Sequence, residues 1–268
     1  MTHLEEPIRR FNRSQIVNHW VMLVSFVGLV LTGFPQKYSG QEWAKGIILI
    51  IGGVERVRWL HHVFGTLMAL QLVWHGLDVL WHWLVRRLPL TMIPSIDDVR
   101  HFWQQIQFNL DRAATPPRMP RYTFAEKVEY LALIWGTALM VVTGIVLLYP
   151  TRWLPVPGEF VLAAKAAHGG EALLALLSIL TWHVYFVHVR HRNWSIFNGS
   201  LDVHAYAEEH ALELDTIRRG EVAAPAPLAA WRVAVFAVVA VIATALVAAL
   251  WLWLRGLRVP IQTIIAGP

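Results

Sequence analysis

Five histidines lie within or at the edges of long apolar stretches: His19, His61, His75, His168 and His183. An ionisable side chain at membrane depth is costly, and where one occurs it usually does chemistry. A lone imidazole has an ordinary explanation as a helix–helix hydrogen-bonding group. Several at matching depths on three helices point instead to metal coordination. In a helix bundle that chemistry takes the form of haem, whose iron accepts one imidazole from each of two facing helices. Two haems stacked across a membrane need helices that carry two histidines on one face, spaced for two macrocycles.

Helix geometry sorts the candidates. His61 and His75 are 14 residues apart, within about 40° of full turns, with a rise of about 21 Å. His168 and His183 are 15 apart, about 60° off full turns, with a rise near 22 Å. The neighbours fail the same test: His62 to His75 is about 140° off, and His168 to His188 about 160°. His61 is therefore preferred to His62, and His183 to His188. By depth, His61 and His168 form an outer pair. The partner of His183 at the inner level is either His19 or His75, and spacing leaves both open. His82, His188 and His191 sit beside arginines and read as headgroup-facing, whereas His3, His101, His204 and His210 lie in polar segments and read as surface residues. His62 belongs clearly to neither group.

The elements that must position these side chains follow from apolar length. A crossing helix needs roughly 20 apolar residues, and five stretches qualify: about 14–34, 57–85, 125–149, 160–189 and 232–254. The run GIILIIGG at 46–53 is too short to cross and reads as re-entrant or interfacial. The first run, preceded by Glu5 and Glu6 and without a small-residue cleavage site, reads as a retained span rather than a signal peptide. Gly28, Gly33, Gly65, Gly136, Gly144 and Gly169–Gly170 would let a flat macrocycle or a neighbouring backbone approach these helices. Long connectors at 87–123 and 190–220 carry amphipathic or mixed-charge helical patterns, and VAAPAPLAA links them to the last span. That span holds no ionisable residue and reads as packing or anchor. The expected domains are 1–220, carrying the histidines, and 221–268, the linker and added span.

Composition agrees. Of 268 residues, 56% are hydrophobic and 15% charged, with a mean hydropathy of +0.46. A soluble protein carries roughly 25% charged residues. A soluble enzyme, a nucleic-acid binder and a disordered chain are all excluded as readings. With the N-terminus inside, fifteen Lys or Arg fall on the inner segments and eight on the outer, so the expected orientation is N-terminus cytoplasmic and C-terminus outside. Trp20, Trp59, Trp83, Trp153, Trp231 and Trp253 fall near span ends, as interfacial rings do. There is no cysteine, hence no disulfide, no Cys-ligated iron–sulfur cluster and no c-type haem attachment in this chain.

RSQIVNHW (Arg13–Trp20) followed by LTG (Leu31–Gly33) resembles the first span of the gamma subunit of respiratory formate dehydrogenase and of the cytochrome b subunits of nickel–iron hydrogenases. LHHVFG (Leu60–Gly65), IPSIDD (Ile93–Asp98), VTG (Val142–Gly144), HVY (His183–Tyr185) and FNGS…YAEEH (Phe197–His210) are similar too. The resemblance covers about residues 9–212. It implies a four-span bundle with two haem b groups, the outer bound by His61 and His168 and the inner by His19 and His183, with His75 as the alternative inner ligand. With the last span added, the expected fold is an all-α integral membrane protein: a four-helix transmembrane bundle plus a fifth C-terminal transmembrane helix. The family also implies a quinone or menaquinone site beside the inner haem, marked by an asparagine before the third span. Thr123 of RYTFAEK stands at that position here, a departure from the pattern, as is the fifth span.

The function so implied is a cytochrome b subunit in the bacterial cytoplasmic membrane. It would pass electrons between iron–sulfur and catalytic subunits on the outer face and the quinone pool, in contact with lipid. Arg56, Arg58 and Lys165 each read first as part of an ordinary solvated face, and as a second reading would offset haem propionates or dock the outer partner. The alternative is a self-sufficient diheme ferric reductase or quinone-linked superoxide oxidase. A haem-free anchor or transporter fits poorly, since Asp78 and Glu171 are the lone acids of the second and fourth spans.

Overall fold

The structure is a computed structural model and describes residues 6–148 and 157–256, with 251 and 253–256 given by backbone alone. His3, Tyr149, Arg152, Trp153 and Arg258, and the side chains of Trp253 and Arg255, lie outside the described residues.

The first helix, α1 (Arg13–Lys37), begins where Asn12 and Gln15 exchange side-chain-to-backbone hydrogen bonds of 2.9 Å. That reciprocal cap satisfies two amides the helix start would otherwise leave open. The second, α2 (Glu42–Ile51), covers most of the short apolar run. At ten residues it is about 15 Å long and cannot cross a bilayer. Gly52 and Gly53 end it at φ 104° and 102°, a left-handed turn open to residues without a Cβ. The chain then enters α3 (Val54–Leu80), whose last turn widens over Trp81–Val85 to π-type bonding, Arg86 N–H reaching the Trp81 carbonyl at 3.1 Å.

The connector contains α4 (Ile96–Asn109), capped by Ser95 and Asp98. Its Asp98 carboxylate is buried against the Lys127 ammonium at 2.9 Å to both oxygens. Burial alone would raise the Asp98 pKa, but hydrogen bonds from Lys127 and Ser95 outweigh it and hold the carboxyl below its usual range. The next helix, α5 (Phe124–Leu148), precedes α6 (Gly158–Ser178), which runs on as a π-type helix over Ile179–Arg190.

This widening matters for phase. A π turn holds roughly 4.3 residues, so each residue past 179 rotates by about 85° rather than 100°. Four such steps separate Ile179 from His183. They would remove about 60°, the offset that uniform α geometry leaves between His168 and His183.

Five helices among the described residues are long and apolar enough to cross a membrane: 13–37, 54–85, 124–148, 158–190 and 230–250. At most 22% of the residues in their most apolar windows are buried within the protein. Valines, leucines and tryptophans such as Val24, Leu31, Trp135 and Leu162 face outward. Lipid tails are as apolar as these side chains, so the helices need not hide them from one another.

By contacts the chain divides into two units, 1–75 with 89–224 and 76–88 with 225–268. In the first, α7 (Ser195–Asn198), α8 (Val203–Glu209) and α9 (Ala211–Arg218) follow α6. A two-stranded antiparallel ladder joins β1 (Ile8–Arg9) to β2 (Ser200–Leu201) and ties the N-terminal arm to this connector. Leu201, Tyr206 and Leu214 form a small core beneath it, with Ile8 packed on top. Arg10 is buried and paired with Glu126, and Arg121 donates to the Arg10 carbonyl at 2.8 Å and reaches Glu213 at 3.4 Å. His210, expected at the surface, is fully buried here because the connector folds down onto Pro120, whose carbonyl accepts from Nδ1 at 3.0 Å. In the second unit α10 (Ala230–Gly256) lies against the end of the second crossing helix. Trp81 and Phe236 meet edge-on at 5.0 Å, and Arg232 donates to the Leu84 carbonyl.

Candidate functional site

Helix α6 carries His168 and its π-type continuation carries His183, and each faces an imidazole from another helix. His61 of α3 lies opposite His168 with ring centroids 6.3 Å apart and planes at 67°. His19 of α1 lies opposite His183 with centroids 6.5 Å apart and planes at 35°. His75 is elsewhere: its Nε2 is 2.8 Å from the Tyr130 hydroxyl of α5. Thr123 is the cap of α5, its amide donating to Glu126 at 2.8 Å and its hydroxyl oxygen accepting from the Glu126 amide at 3.2 Å.

Two imidazoles held on opposite sides of one iron, with metal–nitrogen bonds of about 2.0 Å and about 1.1 Å from nitrogen to ring centre, would have centroids roughly 6.2 Å apart. Both pairs match that spacing. Among the described residues no three His, Asp or Glu side chains converge as a bare ion would require. A macrocycle that supplies four nitrogens of its own needs only two. The donor set and its separation therefore fit haem at both levels.

Small residues make room. A Cβ on Gly33 would stand 3.0 Å from His61 Cε1, and one on Gly144 would stand 3.4 Å from His168 Cε1. The Phe64 ring of α3 occupies the place of a Gly28 Cβ, 2.5 Å away, so α1 and α3 can approach there only because position 28 is glycine. The Glu171 carboxylate fills the equivalent space above Gly136.

Several polar partners were not singled out from the sequence. Thr32 Oγ1 is 3.0 Å from His61 Nδ1, and Thr143 Oγ1 is 2.9 Å from His168 Nδ1. Glu129 Oε2 is 3.4 Å from His183 Nδ1. The Gln71 side-chain amide donates to Asn18 Oδ1 at 2.6 Å, a buried clamp between α3 and α1 beside His19. Nδ1 of His19 is buried without a hydrogen-bond partner, and the ring packs edge-on against Phe197 at 5.4 Å. A signal for the two threonines was present: Thr-Gly occurs in the first and third spans, as LTG and VTG.

Three of the other histidines have local partners. His82 bonds the Asp78 carbonyl at 2.7 Å, His188 stacks on Trp194 at 4.6 Å, and His204 sits 3.3 Å from Glu208. The chain matches no protein-family model and no curated protein.

Proposed function

We propose that this chain is the diheme cytochrome b subunit of a respiratory oxidoreductase complex in a bacterial cytoplasmic membrane. Its crossing helices α1, α3, α5 and α6 form the bundle, and α10 adds a fifth. The observation that carries this reading is the pair of apposed imidazoles at 6.3 and 6.5 Å, repeated at two levels along α6 and its π-type continuation. His61 and His168 hold the outer haem, and His19 and His183 the inner. When bound, the haems supply one-electron carriers at two depths, linking an outer redox partner to the quinone pool.

The chain's own residues bind and orient. Thr32 and Thr143 meet the outer imidazoles, Glu129 meets His183, and Gly33 and Gly144 leave space beside the rings. Quinone or menaquinone is taken up beside the His19–His183 pair, toward Thr123. Iron–sulfur and catalytic chemistry belongs to partner subunits, because a chain without cysteine cannot ligate such clusters by thiolate.

Haem quantitation with a reduced-minus-oxidised spectrum tests the proposal. The wild type is expected to hold two haems per chain. His61→Ala, His168→Ala, His19→Ala and His183→Ala should each keep one, and His75→Ala should keep both. A purified chain without a haem spectrum, or loss of a haem on His75→Ala alone, overturns the assignment.

A further inference from the structure

We propose that Thr32 and Thr143 are twin positioning residues that fix the tautomer and orientation of His61 and His168. The inference rests on the haem reading above.

Thr32 Oγ1 lies 2.6 Å from the Gly28 carbonyl, one turn back on α1, and Thr143 Oγ1 lies 2.7 Å from the Leu139 carbonyl on α5. A carbonyl oxygen can only accept, so each hydroxyl spends its single proton there. What it then presents to the imidazole is a lone pair. At 3.0 and 2.9 Å the hydrogen bond must run from Nδ1–H to the threonine oxygen. Both rings are thereby held as the Nδ1–H tautomer, which leaves Nε2 as the unprotonated, metal-binding nitrogen.

The arrangement occurs twice, on different helices, in the same order: a threonine on Nδ1, then a glycine beside Cε1. Thr32 and Gly33 serve His61, while Thr143 and Gly144 serve His168. The other pair is built otherwise, with Glu129 near His183 and no partner on His19 Nδ1. A hydrogen bond from the outer nitrogen makes the ligating nitrogen more basic, which favours the oxidised metal. It also stops the ring from turning, which sets the 67° between the two planes.

Redox titration and low-temperature EPR of purified Thr32→Val and Thr143→Val, each beside its serine counterpart, test this. Valine keeps the shape of threonine and removes the oxygen. Each valine variant should shift the His61–His168 haem toward the reduced form by roughly threefold to tenfold at fixed potential, about 30–60 mV for a one-electron couple. Its oxidised EPR signal should move as the ring planes turn, with the other haem unchanged. Serine should restore both readouts.

Loss of that haem in valine but not serine also supports the role. Valine variants with unmoved potential and signal, or serine variants that behave like valine, overturn it. A wild type with no haem would overturn the haem reading itself, a separate outcome visible before any variant is made.

Discussion

Acidification should loosen the connector at 200–218, and His210 sets how far. Burial is the main cause of its pKa falling to about 4, with the Arg10 guanidinium second and Arg121 adding to it. The Glu126 carboxylate and the Pro120 carbonyl act in the opposite direction. Glu209 at 3.8 Å and the Tyr206 ring at 5.3 Å complete its surroundings.

When the connector opens, His210 regains its ordinary value of 6.5 and takes up a proton that the closed form refuses until about pH 4. The open form thus binds more protons across that window. The stabilisation is intact above pH 6.5 and is lost as pH falls toward 4. The difference between those two values is worth about 3 kcal/mol, and at pH 5 the opening equilibrium should have risen about thirtyfold. Glu209 offsets part of this. Burial raises its pKa, so the closed form binds that proton more readily than the open form does.

Hydrogen exchange of amides 203–218 in the solubilised protein, expressed as protection factors, measures the effect. His210→Gln carries no titrating group and should flatten the profile. A wild-type profile level from pH 7 to pH 5, or a slope that survives His210→Gln, refutes the reasoning. The consequence reaches the site, because Phe197 of the same connector covers His19.

On the proposed haem reading, Gly33→Ala should lower occupancy of the His61–His168 level more than Gly144→Ala. The added carbon would stand 3.0 Å from one ring and 3.4 Å from the other, and outer haem occupancy in the two variants gives the comparison. Lys127→Ala strands a buried carboxylate at Asp98 and should destabilise the attachment of α4 by about 3–5 kcal/mol. The double replacement Lys127→Met with Asp98→Leu should recover much of that loss, and protease sensitivity of 96–109 separates the two variants.

The sequence by itself determined that five helices are long and apolar enough to cross a membrane, because a bilayer demands apolar length and little else imposes it. Rise and rotation per residue, as properties of a single helix, also narrowed which histidines of one helix could share a face. Spacing did not determine which imidazole lies opposite His183, and only the resemblance pointed to His19. His19 and His75 satisfy the same depth arithmetic, and in the structure the approach of α1 to the π-type continuation of α6, with His75 beside Tyr130, separates them. The π-type widening after Ser178 likewise escaped a uniform helical period. The burial of His210 and the meeting of Thr32 with His61 and of Thr143 with His168 arise between segments 25 to 90 residues apart. Such contacts depend on how faces of different helices meet, which no local pattern encodes.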